Sequence, residues 1–156
     1  MRQKRKRIET RQWVSVWQYV AAGVLLAYTG LLLYWMFWGF GRSAPNADTP
    51  YRYNIIPLHT IVEFAMMRVG SRLDQWINLL GNIAVFVPFG VLIPMVLRVR
   101  FWMFTFGFAG WILLLELMQL ATRRGTFDVD DILLNTLGAG GGYALFMLMI
   151  RWRRAK

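Results

Sequence analysis

Residues 101–121 read FWMFTFGFAGWILLLELMQLA, a run of 21 residues in which Glu116 is the one charged side chain. A helix rises about 1.5 Å per residue, so a helix of this length reaches roughly the 30 Å that the hydrocarbon core of a bilayer measures. The run therefore predicts a transmembrane helix.

Three further apolar runs of similar length lie at about 17–38, 77–97 and 132–150. The composition agrees with them, since 57% of the 156 residues are hydrophobic, against about 45–50% in soluble domains. Four spans leave no room for a separate soluble domain. The sequence thus predicts an all-α integral membrane protein, a small bundle of about four transmembrane helices.

The domain organisation follows from these runs. We expect a basic N-terminus at 1–16, a transmembrane domain at 17–150 and a basic tail at 151–156. A basic segment before an apolar run is also typical of a signal peptide, but the apolar part of a signal peptide has only about 7–15 residues. The first run is longer and further spans follow it, so we expect a retained helix.

Residues 39–75 form a polar stretch between the first two spans, interrupted by Gly41, Pro45, Pro50 and Pro57. Within it, residues 55–69 are moderately apolar and predict a short amphipathic segment against the membrane. His59 and Glu63 would share one face of such a helix, and a plain interfacial helix explains them better than a ligand site does.

The basic residues predict the orientation. Twelve of the 18 lysine and arginine residues lie at the two termini and in the turn 98–100, and six lie on the other side of the membrane. The positive-inside rule then places both termini in the cytoplasm and residues 39–75 outside. This distribution also explains the net charge of +10 through topology and anionic headgroups, so nucleic acid is not an expected partner.

In this topology three helices carry polar residues to one depth in the outer leaflet. Glu116 lies about five residues, or roughly 8 Å, from the outer end of its helix, and Gln119 lies one turn shallower. Asn82 belongs to the first turns of the second span and Asn135 to those of the fourth. Both asparagines suit ligand binding, and they suit hydrogen bonds between helices equally well.

Glu116 requires a polar environment, because an ionisable residue inside a span costs at least about 2.5 kcal/mol. Its spacing to Arg123 is i, i+7, so the two side chains share a stripe. Arg123 and Arg124 are therefore both candidate counter-ions. A buried ion pair that fixes the bundle is the structural alternative to a functional carboxylate.

The acids Asp128, Asp130 and Asp131 stand at the start of the fourth span. They can cap the helix and complement its dipole, or they can bind a divalent metal ion through oxygen. Thiolate sites are excluded because the chain has no cysteine, and the single His59 excludes a metal site built from histidine alone. No particular cofactor is indicated.

The fourth span contains a group of four glycines, and the second span contains two prolines. The glycines predict a surface for close helix packing, since no lysine or Ser/Thr follows them as in a phosphate-binding loop. The prolines predict kinks. These residues are Gly138, Gly140, Gly141, Gly142, Pro88 and Pro94.

Three blocks of sequence resemble the VanZ-like family in order, spacing and placement on consecutive spans. They are Gly81-Asn82-Ile83 with Pro88-Phe89-Gly90; Glu116-Leu117-Met118-Gln119; and Arg124-Gly125-Thr126-Phe127-Asp128-Val129-Asp130-Asp131 running into Asn135-Thr136-Leu137-Gly138 and Gly142-Tyr143. Upstream, Asn54-Ile55-Ile56-Pro57 is similar to the family's Asn-Leu-Ile-Pro segment. The resemblance covers about 51–143 and departs at Arg123, where many members have glycine.

This resemblance implies a bacterial cell-envelope protein of the cytoplasmic membrane. The namesake of the family is linked to low-level resistance to the glycopeptide teicoplanin, and the resemblance supplies no reaction.

Our leading hypothesis is recognition of a membrane-anchored or periplasmic ligand at the outer leaflet, for example a lipid-linked cell-wall intermediate or a glycopeptide. Arg124 or Arg52 would contact phosphate in such a ligand. The candidate ligand-binding residues are Asn82, Gln119, Arg124, Asp128, Asn135, Arg52 and His59.

Two other classes stay open. An intramembrane enzyme acting on a lipid-linked intermediate would use Glu116 as general acid or base, with Asp130 and Asp131 among its catalytic candidates and Asp128, Asp130 and Asp131 as metal ligands. No Ser or Cys nucleophile with a base is apparent for it. In a structural or partner-binding membrane protein, the same polar residues would form a core between helices.

Overall fold

The computed structural model describes the backbone of residues 2–39, 49–66 and 72–156, and the side chains of 16–39, 49–66 and 76–156. Predictions that concern Gly41, Pro45 and residues 67–69 lie outside these ranges. The elements in chain order are α1 (Arg2–Trp38), β1 (Arg52–Asn54), α2 (His59–Ala65), α3 (Arg72–Ala84), α4 (Val87–Val96), α5 (Phe101–Ala121), β2 (Thr126–Asp128) and α6 (Val129–Ala155).

Four helical stretches are long and apolar enough to cross a membrane, at Val16–Trp38, Trp76–Val96, Phe101–Ala121 and Val129–Ala155. The prediction of a small all-α bundle with four spans is confirmed. The fourth helix is longer than the predicted 132–150 at both ends. It begins directly after its cap at Asp128 and continues through the basic tail.

The second span is two helices rather than one. α3 ends at Ala84 and α4 begins at Val87, with Pro88 in the first turn of α4. Proline has no N–H to donate, and its ring clashes with the carbonyl of the residue four positions earlier, which is Ala84. The predicted kink at Pro88 is therefore a complete break of the helix, whereas Pro94 lies inside α4 near its end.

The break frees backbone groups inside a predicted span, where water is absent and each unpaired polar group is costly. The Val85 N–H donates to the Gly81 carbonyl at 3.0 Å and the Phe86 N–H to the Ile83 carbonyl at 3.2 Å. The Tyr28 hydroxyl of α1 donates to the Val85 carbonyl at 2.8 Å. A side chain of another helix thus satisfies the interrupted backbone.

An aromatic cluster fills the centre of the bundle. Phe89 of α4, whose side chain is fully buried, lies with its ring centroid 5.3 Å from that of Tyr28, 5.8 Å from those of Phe86 and Phe108 and 5.4 Å from that of Trp111. These rings join α1, α4 and α5 in one packed core. Rings at such separations add to the stability that their burial provides.

Glycine allows α6 to approach the second span closely. A Cβ atom at Gly138 would lie 2.1 Å from the Ile83 carbonyl oxygen, and one at Gly142 would lie 2.1 Å from that of Val87. Both positions confirm the predicted packing surface. The prediction was wrong for Gly140 and Gly141, where an added Cβ atom would have no neighbour within 4 Å, because they lie on the other side of the helix.

The two strands form a small parallel sheet in which Arg52 pairs with Thr126, Tyr53 with Phe127 and Asn54 with Asp128. Three-residue strands are too short for a recognisable alternation of polar and apolar residues, so the sequence did not predict them. The sheet joins the segment after α1 to the loop before α6. The short helix expected within 55–69 follows it as α2.

Candidate functional site

At one end of the bundle α1 and α5 end while α3 and α6 begin, and we call this the polar end. The buried polar side chains of the described part of the chain lie here or in the adjoining turns of α5 and α6, each at most 7% exposed. They are Glu116, Gln119, Asp128, Asp130 and Asn135. All five were site candidates in the sequence, and their contacts show what each one does.

Glu116 lies in α5 and is 2% exposed. Its Oε2 atom accepts a hydrogen bond from the backbone N–H of Asp128 at 3.2 Å. This contact joins the last third of α5 to the junction between β2 and α6. Glu116 therefore faces the protein interior, as the cost of an ionisable residue in a span requires.

Asp128 caps α6 and also binds the segment after α1. Its Oδ1 atom accepts from the backbone N–H of Asp130 at 2.8 Å, which is the usual contact of a helix N-cap. The same oxygen accepts from the Asn54 amide at 3.1 Å, and Oδ2 accepts from the Thr60 hydroxyl at 2.6 Å. The capping role considered in the sequence is thus combined with two contacts to distant residues.

Asp130 has no exposed surface. Its two carboxylate oxygens accept from the backbone N–H groups of Leu58 and Ile61, at the start of α2. Leu58 is the N-cap of α2 and offers no side-chain hydrogen bond to it. Asp130 supplies that cap from another helix, and its charge complements the positive end of the helix dipole.

Asp131 binds α3. The Asn82 amide of α3 donates to Oδ1 of Asp131. Asn78, one turn earlier on α3, is exposed. Of the two asparagines on this face of α3, Asn82 is therefore the one that joins the polar end.

The three acids of residues 128–131 thus bind distant parts of the chain: Asp128 binds the end of β1 and the start of α2, Asp130 binds the start of α2, and Asp131 binds α3. In the described ranges, no group of three His, Asp or Glu side chains is arranged to hold a metal ion. The carboxylate oxygens accept N–H and O–H donors instead. The catalytic and metal-binding roles considered for Asp128, Asp130 and Asp131 stay predictions.

Gln119 and Arg124 hold the end of α1. The Gln119 amide donates to the Met36 carbonyl at 3.1 Å, and Nη1 of Arg124 donates to the Phe37 carbonyl at 3.0 Å. The last carbonyls of a helix have no partner within it, so they accept from outside. The Arg124 guanidinium also lies 5.1 Å over the ring of Trp38.

Arg123 follows the C-cap of α5 in a left-handed conformation, with φ of 54°. The N–H of Arg123 donates to the Leu120 carbonyl at 3.0 Å and that of Arg124 to the Gln119 carbonyl at 3.1 Å, which together form a Schellman motif. The guanidinium of Arg123 donates to the Tyr51 hydroxyl at 3.2 Å and lies 4.4 Å over that ring. An ion pair of Glu116 with either arginine stays a prediction.

The remaining candidates differ in their surroundings. Asn135 is 3% exposed, and its Oδ1 atom has no hydrogen-bond partner within the described residues. Arg52 on β1 is exposed. His59 and Glu63 are about half and one third exposed and lie 3.6 Å apart, so their predicted i, i+4 relation on a helix is observed.

Asn54 and Thr60 belong to the polar end as partners of Asp128, although the sequence did not predict them there. The Asn54 amide donates to the Thr60 hydroxyl at 2.9 Å and to Asp128, while its Oδ1 accepts from the Ile56 N–H at 3.1 Å. The similarity of the segment 54–57 to the family was the one available signal for Asn54. Thr60 has no signal of its own, because its partner is distant in the chain.

Residues 25–150 match one family model, which is described as VanZ/LLP1. The chain belongs to the VanZ/LLP1 family. The match contains the C-terminal part of α1 and all residues of the polar end described above, so the VanZ-like assignment covers the bundle and its site together. No curated protein and no solved structure matches the chain. The chain is thus a VanZ-like, envelope-associated membrane protein with several membrane-spanning helices.

Proposed function

We propose that this VanZ/LLP1-family protein binds an anionic, membrane-anchored molecule of the cell envelope at its polar end. Through this binding it contributes to envelope homeostasis or to resistance to glycopeptides such as teicoplanin. The observation that carries the proposal is the position of Arg124, fixed between the Phe37 carbonyl and the ring of Trp38 where α1 ends.

The chemistry of Arg124 suits a phosphate. A guanidinium has five N–H donors in a planar fork, and the contact with Phe37 uses one of its nitrogens. The remaining donors match the oxygens of a phosphate or diphosphate. Trp38 is exposed and marks the level of the membrane interface, where lipid-linked molecules carry their charged groups.

Arg52 adds a second cation at the same edge. It pairs in β1 with Thr126, two residues after Arg124, and its side chain is exposed. The neighbouring residues Tyr53, Ile55 and Ile56 expose large apolar side chains. Exposed apolar groups beside two cations suit a ligand that has both a lipid part and an anionic head.

In this proposal the acids do not contact the ligand; they hold the ligand-binding residues in position. Asp128 and Asp130 hold residues 54–61 on the end of the bundle, and Glu116 holds Asp128. They therefore keep Arg52 and the exposed apolar residues beside Arg124. From the positive-inside count we expect this end to face the outer leaflet.

A binding experiment tests the proposal. The purified protein in nanodiscs is titrated with a short-chain polyprenyl diphosphate and with the neutral polyprenol of the same length. We expect the diphosphate to bind and Arg124→Gln to weaken its binding about tenfold or more, as loss of a charge-assisted hydrogen bond does. Arg151→Gln, at the opposite end of the bundle, is the matched control. Equal binding of both probes would contradict the proposal.

A test in cells uses a deletion strain complemented with the wild-type protein, Arg124→Gln or Glu116→Gln, with teicoplanin susceptibility and envelope-stress sensitivity as readouts. We expect Arg124→Gln to fail to complement at normal membrane abundance. Full rescue by a properly inserted Arg124→Gln variant would remove this arginine from the function. Full rescue by Glu116→Gln would show that the charge of Glu116 is dispensable, since the glutamine carbonyl can still accept from the Asp128 N–H.

The internal contacts of the acids favour a second candidate, a structural or partner-binding membrane protein. In that case each variant of the polar end would lose function in proportion to its membrane abundance and thermal stability. A phenotype of Arg124→Gln at unchanged abundance and stability would separate ligand binding from this alternative.

A further inference from the structure

A groove of about 360 Å³ lies between α1, α4 and α5, in the half of the bundle away from the polar end. Its walls include Leu25 of α1, Phe89 and Ile93 of α4, and Met103 of α5. Thr29 is the one hydroxyl-bearing side chain among the described lining residues, and its hydroxyl donates to the Leu25 carbonyl at 2.7 Å. The groove therefore offers a ligand an apolar surface.

The depth of the groove corresponds to one leaflet. It begins at Val99, in the turn between α4 and α5, and reaches Trp111, ten residues into α5. Ten helical residues rise about 15 Å, half of the roughly 30 Å hydrocarbon core. Exposed lining residues, among them Leu26 and Gly107, open the groove toward the surrounding lipid.

The mouth of the groove is basic. Arg98 and Arg100 flank Val99 and are both exposed. The Val99 carbonyl accepts from the Tyr143 hydroxyl of α6 at 2.9 Å, which fixes the turn against the bundle. The turn therefore holds the two arginines at the end of the apolar wall, where we expect the lipid headgroups to lie.

We propose that this groove binds one acyl chain of an anionic phospholipid, whose phosphate contacts Arg98 and Arg100. Apolar walls one leaflet deep accept a chain that enters from the bilayer, and basic residues at the mouth favour a net negative headgroup over a zwitterionic one. By the charge count this is the cytoplasmic leaflet, so the site differs from the ligand site proposed at the polar end.

The headgroup part of the proposal is tested by native mass spectrometry of the purified protein, titrated with phosphatidylglycerol or phosphatidylcholine of identical acyl chains. We expect phosphatidylglycerol to bind more tightly, roughly fivefold for each arginine, and Arg98→Gln/Arg100→Gln to abolish the difference. Arg153→Gln/Arg154→Gln removes the same charge from the end of α6 and should keep the preference. Equal affinity of the wild-type protein for both lipids would overturn the proposal.

The acyl-chain part is tested with glycine variants of α5. A Cβ atom at Gly107 or Gly110 would have no neighbour within 4 Å, so both sites accept a larger side chain. Gly107 lines the groove and Gly110 does not. Gly107→Leu should weaken phosphatidylglycerol binding severalfold while Gly110→Leu leaves it unchanged. Unchanged binding in Gly107→Leu, or the same loss in both variants, would exclude the groove as the binding site.

Discussion

At the scale of single residues, Asp130 combines a fully buried carboxylate with two backbone donors from another helix. Burial of an ionised group is tolerated when such hydrogen bonds replace its water. The start of α2 has no side-chain cap of its own, so the two groups need each other. Asp130 therefore has a structural role, the capping of α2, that can be measured.

We expect Asp130→Asn to lower the free energy of unfolding by about 2–3 kcal/mol, because its NH2 group would face one of the two N–H donors and leave it unpaired. Unfolding in detergent measures this change, and hydrogen exchange at residues 58–61 localises it. Glu63→Gln, on the partly exposed face of α2, should change stability by less than about 0.5 kcal/mol. If Asp130→Asn keeps full stability, the capping role is wrong.

Tyr28 offers a second prediction at this scale. Its hydroxyl is the side-chain donor to the Val85 carbonyl at the break between α3 and α4. Tyr28→Phe should cost about 1 kcal/mol of stability, the net value of one hydrogen bond. Tyr19→Phe on the same helix is the matched control, since Tyr19 is 76% exposed. Equal effects of the two variants in thermal unfolding would show that the break does not depend on Tyr28.

At the scale of elements, the end of α5 requires a backbone conformation that suits glycine. Arg123 has φ of 54° and forms the Schellman motif, and a left-handed conformation costs a non-glycine residue about 1–2 kcal/mol. The arginine keeps the conformation and adds the contact with Tyr51.

Two variants separate these contributions. Arg123→Gly and Arg123→Ala both lose the contact with Tyr51, but only the glycine relieves the backbone. The glycine variant should therefore be more stable than the alanine variant by about 1 kcal/mol in thermal unfolding. A glycine variant as unstable as the alanine variant would contradict the assigned strain.

At the scale of the whole molecule, the packing of α6 against the second span sets the position of the polar end. Gly142 allows the backbones of α6 and α4 to touch, and Gly138 does the same beside Ile83. No hydrophobic effect drives helix association in membranes, so it depends on van der Waals packing and interhelical hydrogen bonds, and small residues allow the close approach that packing needs. A larger side chain at either glycine would shift α6 and, with it, the acids of 128–131 at the polar end.

Gly142→Ala should destabilise the bundle by about 1–3 kcal/mol, because its Cβ atom would lie 2.1 Å from the Val87 carbonyl oxygen. Gly141→Ala, with no neighbour within 4 Å, should be neutral or more stable by up to about 1 kcal/mol through helix propensity. Thermal unfolding and membrane abundance of the pair measure the difference. The same loss in both variants would mean that the contact with α4 is not the cause.

The sequence by itself determined the number and approximate limits of the spans. Their signal is local, since an apolar run must be long enough to cross the hydrocarbon core. The positions of the polar residues on the predicted spans likewise brought Glu116, Asn82 and the acids of 128–131 to one end of the bundle. Each of these inferences needs only residue types and their spacing.

Only the tertiary structure decided the partners of those residues. Asp130 accepts from N–H groups 72 and 69 residues earlier in the chain, and Asn54 meets Asp128 across 74 residues. From the sequence alone, Asp130 could equally have bound a metal ion or complemented the dipole of its own helix, because a carboxylate accepts any suitably placed donor or cation. Which donor reaches it depends on how the helices pack, and no local pattern contains that information.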